Sequence, residues 1–87
     1  MMRPNYPEVD LHGMFAKEAR ERLERAIAEA LAGGHAKLRI VHGKGTGALR
    51  REVRDVLDRH PMVRTYQNAS PHDGGEGATV AALGSRY

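Results

Sequence analysis

His42-Gly43-Lys44-Gly45-Thr46-Gly47 separates two segments of opposite character. Before it, Lys37 to His42 is rich in Leu, Ile and Val and predicts a strand. After it, Ala48 to about Arg59 sets Leu49, Val53, Val56 and Leu57 on one stripe, which predicts a helix that Pro61 stops. The glycines at 43, 45 and 47 free the backbone to turn sharply between the two and to approach a ligand. Strand, glycine-rich turn and helix in this order are the repeating piece of an α/β fold.

Upstream, Ala19, Leu23, Ala26, Ile27, Ala30 and Leu31 share one stripe, so 16–32 reads as a helix that Gly33-Gly34 ends. Val9-Asp10-Leu11-His12 alternates apolar and polar, as a strand with one buried face does, and Gly13 closes it. Residues 1–8 carry two prolines and no pattern, which predicts a flexible lead-in. Downstream, Val63 to Gln67 and Ala78 to Leu83 read as strands around a polar loop, 68–77, and 85–87 form a tail. The order is therefore β-α-β-α-β-β in one domain, 9–84. Helical crossovers join parallel strands, and a plain loop joins antiparallel ones. If both crossovers step the same way, both helices cover one face. The expected fold is a two-layer α/β (α+β) sandwich, with a four-stranded mixed sheet whose other face is open.

The composition bounds the function. The chain has 87 residues, 40% hydrophobic and 29% charged, which suits one small globular domain. It has no cysteine, so disulfides, thiolate zinc sites and cysteine nucleophiles are excluded. No apolar run is long enough to span a membrane, and 1–8 lacks a signal-peptide core, so a cytoplasmic location is expected. Lys and Arg exceed Asp and Glu by 14 to 11, and eleven of the cations are Arg, the better phosphate fork. A mildly basic solvated face and a polyanion partner explain that balance equally well.

Position favours the polyanion. If Val9 and Leu11 face the helices, Asp10 and His12 share the open face. The carboxyl ends of parallel strands meet at one sheet edge, so His12-Gly13 and His42-Gly43 converge there. The start of the antiparallel last strand, Gly75-Glu76-Gly77-Ala78-Thr79, returns to the same edge, where open α/β sheets bind ligands. The helix after Gly47 begins with Arg50 and Arg51, cations that oppose the dipole unless they serve an anion. The plain alternative is a tight connector with Thr46 as N-cap and surface arginines. The spacing is not that of a nucleotide P-loop or a dinucleotide fingerprint, so a backbone phosphate fits better than a buried triphosphate. Asp10 and His12 can be an acid–base pair or metal ligands, with His42 a second imidazole. The plain alternative has Asp10 capping its loop and His12 bonding backbone. Aromatic residues are few (Phe15, Tyr6, Tyr66 and Tyr87), which argues against a broad base-stacking platform.

Val9-Asp10-Leu11-His12-Gly13, His42-Gly43-Lys44-Gly45-Thr46-Gly47 with Ala48-Leu49-Arg50-Arg51, and Gly75-Glu76-Gly77-Ala78-Thr79-Val80 together resemble the signature segments of the Smr (small MutS-related) domain. The resemblance covers about Val9 to Leu83. It is most like the form that closes the second bacterial MutS family, with Val9 where Leu is usual. The resemblance implies a two-layer α/β fold and sequence-nonspecific endonuclease activity, either nicking of DNA or cleavage of RNA at stalled ribosomes. It implies activity at Asp10 and His12 and nucleic-acid contact at Gly43, Lys44, Gly45 and Thr46. Some members of the family only bind. An intact MutS relative would also carry an ATPase region.

The sequence thus predicts an endonuclease domain. Asp10, His12 and His42 manage the proton or metal steps, while Gly43, Lys44, Gly45, Thr46, Gly47, Arg50 and Arg51 hold the phosphate. On RNA the ribose hydroxyl is a built-in nucleophile. On DNA a water is needed, and a divalent ion such as magnesium or manganese would help activate it. The alternative is a noncatalytic nucleic-acid or ribosome-binding module.

Overall fold

The computed structural model describes residues 5–73 and 75–85. Its elements are β1 (Glu8–Asp10), α1 (Ala16–Ala32), β2 (Lys37–Val41), α2 (Ala48–Arg59), β3 (Val63–Asn68) and β4 (Ala78–Leu83). Two short 3-10 turns, Pro71–Asp73 and Gly75–Gly77, lie between β3 and β4. The sheet order is β1-β2-β4-β3. β1 runs parallel to β2, and β4 runs antiparallel to both β2 and β3. The last strand therefore inserts between the two strands that α2 connects, and β2 and β3 point the same way without touching. This is the expected two-layer sandwich with a mixed sheet.

Alternation in the strands decides the faces. Val9, Leu11, Leu38, Ile40, Val63, Ala81 and Leu83 turn inward and meet Leu23, Ile27, Val53 and Leu57 from the helices in one buried cluster. The helices are tied to each other by Arg20, which donates to Glu52 and Asp55 of α2, each at 2.7 Å. Arg20 holds the Asp55 carboxyl below its ordinary range, chiefly through that hydrogen bond.

The element bounds differ from expectation at four places, the simplest being β3, which runs one residue further, to Asn68. The lead-in ends before Glu8, because Pro7 already accepts a bond from Arg39 N–H at 2.9 Å and Glu8 begins the strand. The part of it spanning 1–4, like 86–87 of the tail, lies outside the described residues. β1 stops at Asp10 and leaves His12 in the following turn, although Leu11 N–H still donates to Val41 at 2.7 Å. β2 stops at Val41 because His42 and Gly43 both donate their N–H to the Gly77 carbonyl, at 3.0 and 2.9 Å. That shared acceptor ties the glycine-rich loop to the start of β4 and brings the three odd segments to one edge.

Candidate functional site

At the end of β1 the Asp10 carboxylate accepts two bonds from His12. The backbone N–H reaches Oδ1 at 3.1 Å and the ring Nδ1 reaches the same oxygen at 2.6 Å. Asp10 thus caps its own turn and grips the imidazole at once. Both side chains are open to solvent, 69% for His12 and 51% for Asp10. The His12 ring bond, then its backbone bond, lower the Asp10 carboxyl below its usual range. An ionised carboxylate only accepts, so Nδ1 is the nitrogen that donates, and in the neutral ring the lone pair lies on Nε2. This is the arrangement a general base requires: one nitrogen held, the other free.

His42 is built the other way. It is 4% exposed, and both ring nitrogens are taken. Nδ1 lies 2.9 Å from the Gly43 carbonyl and Nε2 lies 2.9 Å from the Thr79 hydroxyl. A carbonyl only accepts, so Nδ1 is the N–H and the Thr79 hydroxyl donates to Nε2. Burial, reinforced by the charges of Arg50 and Arg54, pushes its pKa down, which favours this neutral ring. His42 continues the inward phase of Leu38 and Ile40, whereas Asp10 lies out of phase with inward Val9. The two imidazoles therefore follow adjacent strands, one buried and one open to solvent. In this geometry His42 fixes the loop from beneath and presents no free nitrogen, in contrast to the expected second imidazole.

The loop it fixes stands beside His12. Gly43 has a left-handed φ of 79°, and a side chain there would come within 3.6 Å of His12 Cβ. Gly47 caps α2 at φ 87° and ψ −3°, a conformation glycine adopts without strain. Thr46 is not the N-cap residue, but its hydroxyl accepts from Ala48 N–H at 3.3 Å. Arg51 N–H makes the first helical bond, to Gly47. The N–H groups of Leu49 and Arg50 find no acceptor among the described residues, so the helix start is an open donor pair. Gly43, Lys44, Gly45, Thr46, Gly47 and Arg50 line a groove of about 400 Å³, closed on another side by residues 13–16.

Arg51 lies outside that groove. It lines a neighbouring depression of about 250 Å³ with Gly47, Arg50 and Arg54. Arg50 and Arg54 share one acceptor, the side-chain oxygen of Asn68, at 3.1 and 2.9 Å. Their enclosed Nε atoms have no partner among the described residues. Two guanidiniums on one neutral oxygen remain short of negative charge. Arg54 and Asn68 escaped the sequence reading. Arg50 and Arg54 are one helical turn apart, a like-charge spacing that is readable; Asn68 arrives only through the β3–β4 pairing.

Tyr66 serves the core rather than an interface. It packs on the buried cluster and donates its hydroxyl to Asp58 at 2.6 Å, with the Arg54 guanidinium 5.8 Å from its ring centre. Among the described residues no three His, Asp or Glu gather, Asp10 Oδ1 is engaged by His12, and the His42 nitrogens are spent.

The family model of the Smr domain matches residues 9–84. This chain belongs to the Smr domain family. Its relatives include proteins named Endonuclease MutS2, from Thermomicrobium roseum (44% identical over 77 residues) and Thermus thermophilus (46% over 81 residues). Those alignments take in 88% and 93% of this chain but only 10% and 11% of the relatives, so the chain spans about a tenth of their length. The crystal structure of the Smr domain of Thermus thermophilus MutS2 superposes with a TM-score of 0.86 at 47% identity, over 88% of this chain and 96% of that one. The stand-alone small MutS-related protein YdaL from Escherichia coli gives 0.87 at 32% identity, over 94% of this chain and 67% of YdaL. The Smr fold and the MutS-related context of this domain follow. Among the described residues no helix is long and apolar enough to cross a membrane.

Proposed function

We propose that this Smr domain is an endonuclease that grips nucleic acid by its phosphates without reading sequence, and that His12 Nε2 is its general base. The observation that carries the reading is the solvent-open Asp10–His12 pair, 2.6 Å apart, beside a loop and helix start rich in unpaired donors. The endonuclease name of the MutS2 relatives supports the same class of activity.

The residues fulfil distinct roles. Lys44, Arg50 and the N–H groups at the start of α2 hold a phosphodiester, and Arg51 and Arg54 hold its neighbour. On RNA, Nε2 takes the proton of a ribose 2′ hydroxyl, the 2′ oxygen attacks phosphorus, and the bond to the 5′ oxygen breaks. The departing oxygen takes a proton from solvent at this open edge. The products are a 2′,3′-cyclic phosphate and a 5′ hydroxyl. Asp10 keeps the ring in the reactive tautomer and faces the charge it gains. RNA carries its own nucleophile in the 2′ hydroxyl, so it is the substrate these residues process unaided. Nicking of DNA, action at a stalled ribosome and attachment to a MutS-type ATPase region are wider settings for the same backbone grip.

A labelled single-stranded RNA incubated with the domain in EDTA tests this. Cyclic phosphate and 5′ hydroxyl ends are expected, with no cutting where a 2′-deoxy nucleotide replaces the nucleophile. Cleavage that needs a divalent ion and leaves 5′ phosphates would overturn the His12 mechanism. A second reading, a binding module without cleavage, draws on Arg50, Arg51 and Arg54, whose grip is independent of Asp10 and His12. It predicts binding to both polymers and intact RNA.

A further inference from the structure

Phe15 is 81% exposed, the one large hydrophobic side chain left so open among the described residues. Nothing in the fold requires an aromatic ring there. As N-cap of α1 it contributes backbone alone: its N–H donates to Glu18 at 3.4 Å and its carbonyl accepts from Ala19 N–H at 2.9 Å. It nevertheless lines the groove that the glycine loop and Arg50 also line. That groove joins two chemistries, an apolar part at Met14, Phe15 and Ala16 and a cationic, donor-rich part at Lys44 and Arg50. Its volume of about 400 Å³ is of the size that takes a small organic molecule, well beyond the needs of one phosphate. A phosphate alone leaves both the space and the exposed ring unexplained. A planar heterocycle attached to that phosphate accounts for both.

We propose that Phe15 stacks on the base of an unpaired nucleotide whose phosphate lies on Lys44 and Arg50, so that the domain selects single-stranded or frayed segments. A base inside a duplex has both faces covered by its neighbours and cannot take the ring. The selection is for strandedness and not for sequence, since every base has a face to stack. The inference rests on the phosphate-binding reading above and narrows its substrate class.

Binding of three labelled probes tests it: an oligothymidine, an abasic deoxyribose-phosphate oligomer of equal length, and a blunt duplex. Phe15→Ala, at an exposed position, leaves the fold intact and weakens the oligothymidine by about tenfold, with the abasic oligomer and duplex unchanged. Phe15→Trp retains affinity, and because the chain has no tryptophan its emission reports stacking directly. Oligothymidine quenches it; the abasic oligomer does not. Equal losses on all three probes, no loss on any, or emission that ignores the bases would overturn the stacking role while leaving phosphate binding in place. Failure of the wild type to bind any probe would overturn the phosphate-binding reading, and this inference with it.

Discussion

His12 and His42 follow neighbouring strands and each precedes a glycine, yet the fold uses them in opposite ways. His12 is exposed and held by one carboxylate at one nitrogen, with the other nitrogen free among the described residues. His42 is buried and spends one nitrogen on the loop carbonyl and the other on Thr79. The difference comes from strand phase. His42 falls in step with Leu38 and Ile40 and turns inward, while Asp10 alternates with Val9 and holds His12 on the open side. Desolvation makes the inward imidazole a neutral brace, and the outward one stands open to solvent and to a ligand.

The contrast breaks most sharply at His12. His12→Ala should lower single-turnover RNA cleavage by about 10²–10⁴-fold, the range for loss of a general base. The ring is exposed, so the thermal midpoint and the affinity for a non-cleavable strand should stay in place. At His42 the pattern reverses. His42→Ala leaves the Thr79 hydroxyl and the Gly43 carbonyl unpartnered and should cost about 1–3 kcal/mol in a urea melt. Its cleavage should fall only as far as the loop loosens, so a stable fold with His12-like inactivity would contradict the division of roles. A smaller effect belongs to the arginines. Arg50→Ala or Arg54→Ala should weaken binding across all sequences and reduce the slope of log affinity against log salt by about one each.

The smallest effect is one of pH. Because burial lowers the His42 pKa, the unfolded chain takes up that proton before the folded chain does. Its contribution to stability is complete above about pH 6.5 and is lost as pH falls from there towards the lower folded value. His42→Gln should flatten that part of the stability curve relative to wild type. The other histidines are common to both proteins, so the difference isolates this ring. Parallel curves would place the His42 ring in a wetter setting than the fold gives it.

The sequence carries the fold because its patterns are local. The stripe from Ala19 to Leu31 and the one from Leu49 to Leu57 mark both helices, and their bounds fall where the periodicity and the following glycines or Pro61 put them. The lateral order of the sheet is not local: nothing in Ala78–Leu83 says that it inserts between β2 and β3. The convergence of the three glycine-bearing segments is legible, and Gly77 joins His42 and Gly43 as that convergence requires. The environment of His42 is legible in its phase with Leu38 and Ile40, although a histidine beside a glycine after a strand suits a chemical role equally well in sequence. Asn68 could not be found in advance, since its contact with Arg50 and Arg54 depends on β3 register.

The most direct measurement sets cleavage and binding side by side for the wild type and the Asp10→Asn/His12→Gln variant. Single-stranded RNA and supercoiled DNA are the substrates, with and without EDTA. Loss of RNA cleavage in the variant is predicted, with binding to both polymers and the melting midpoint retained, and with wild-type RNA cleavage indifferent to EDTA. RNA cleavage that survives in the variant, or that EDTA abolishes in the wild type, would contradict the account of the Asp10–His12 pair as the reacting centre.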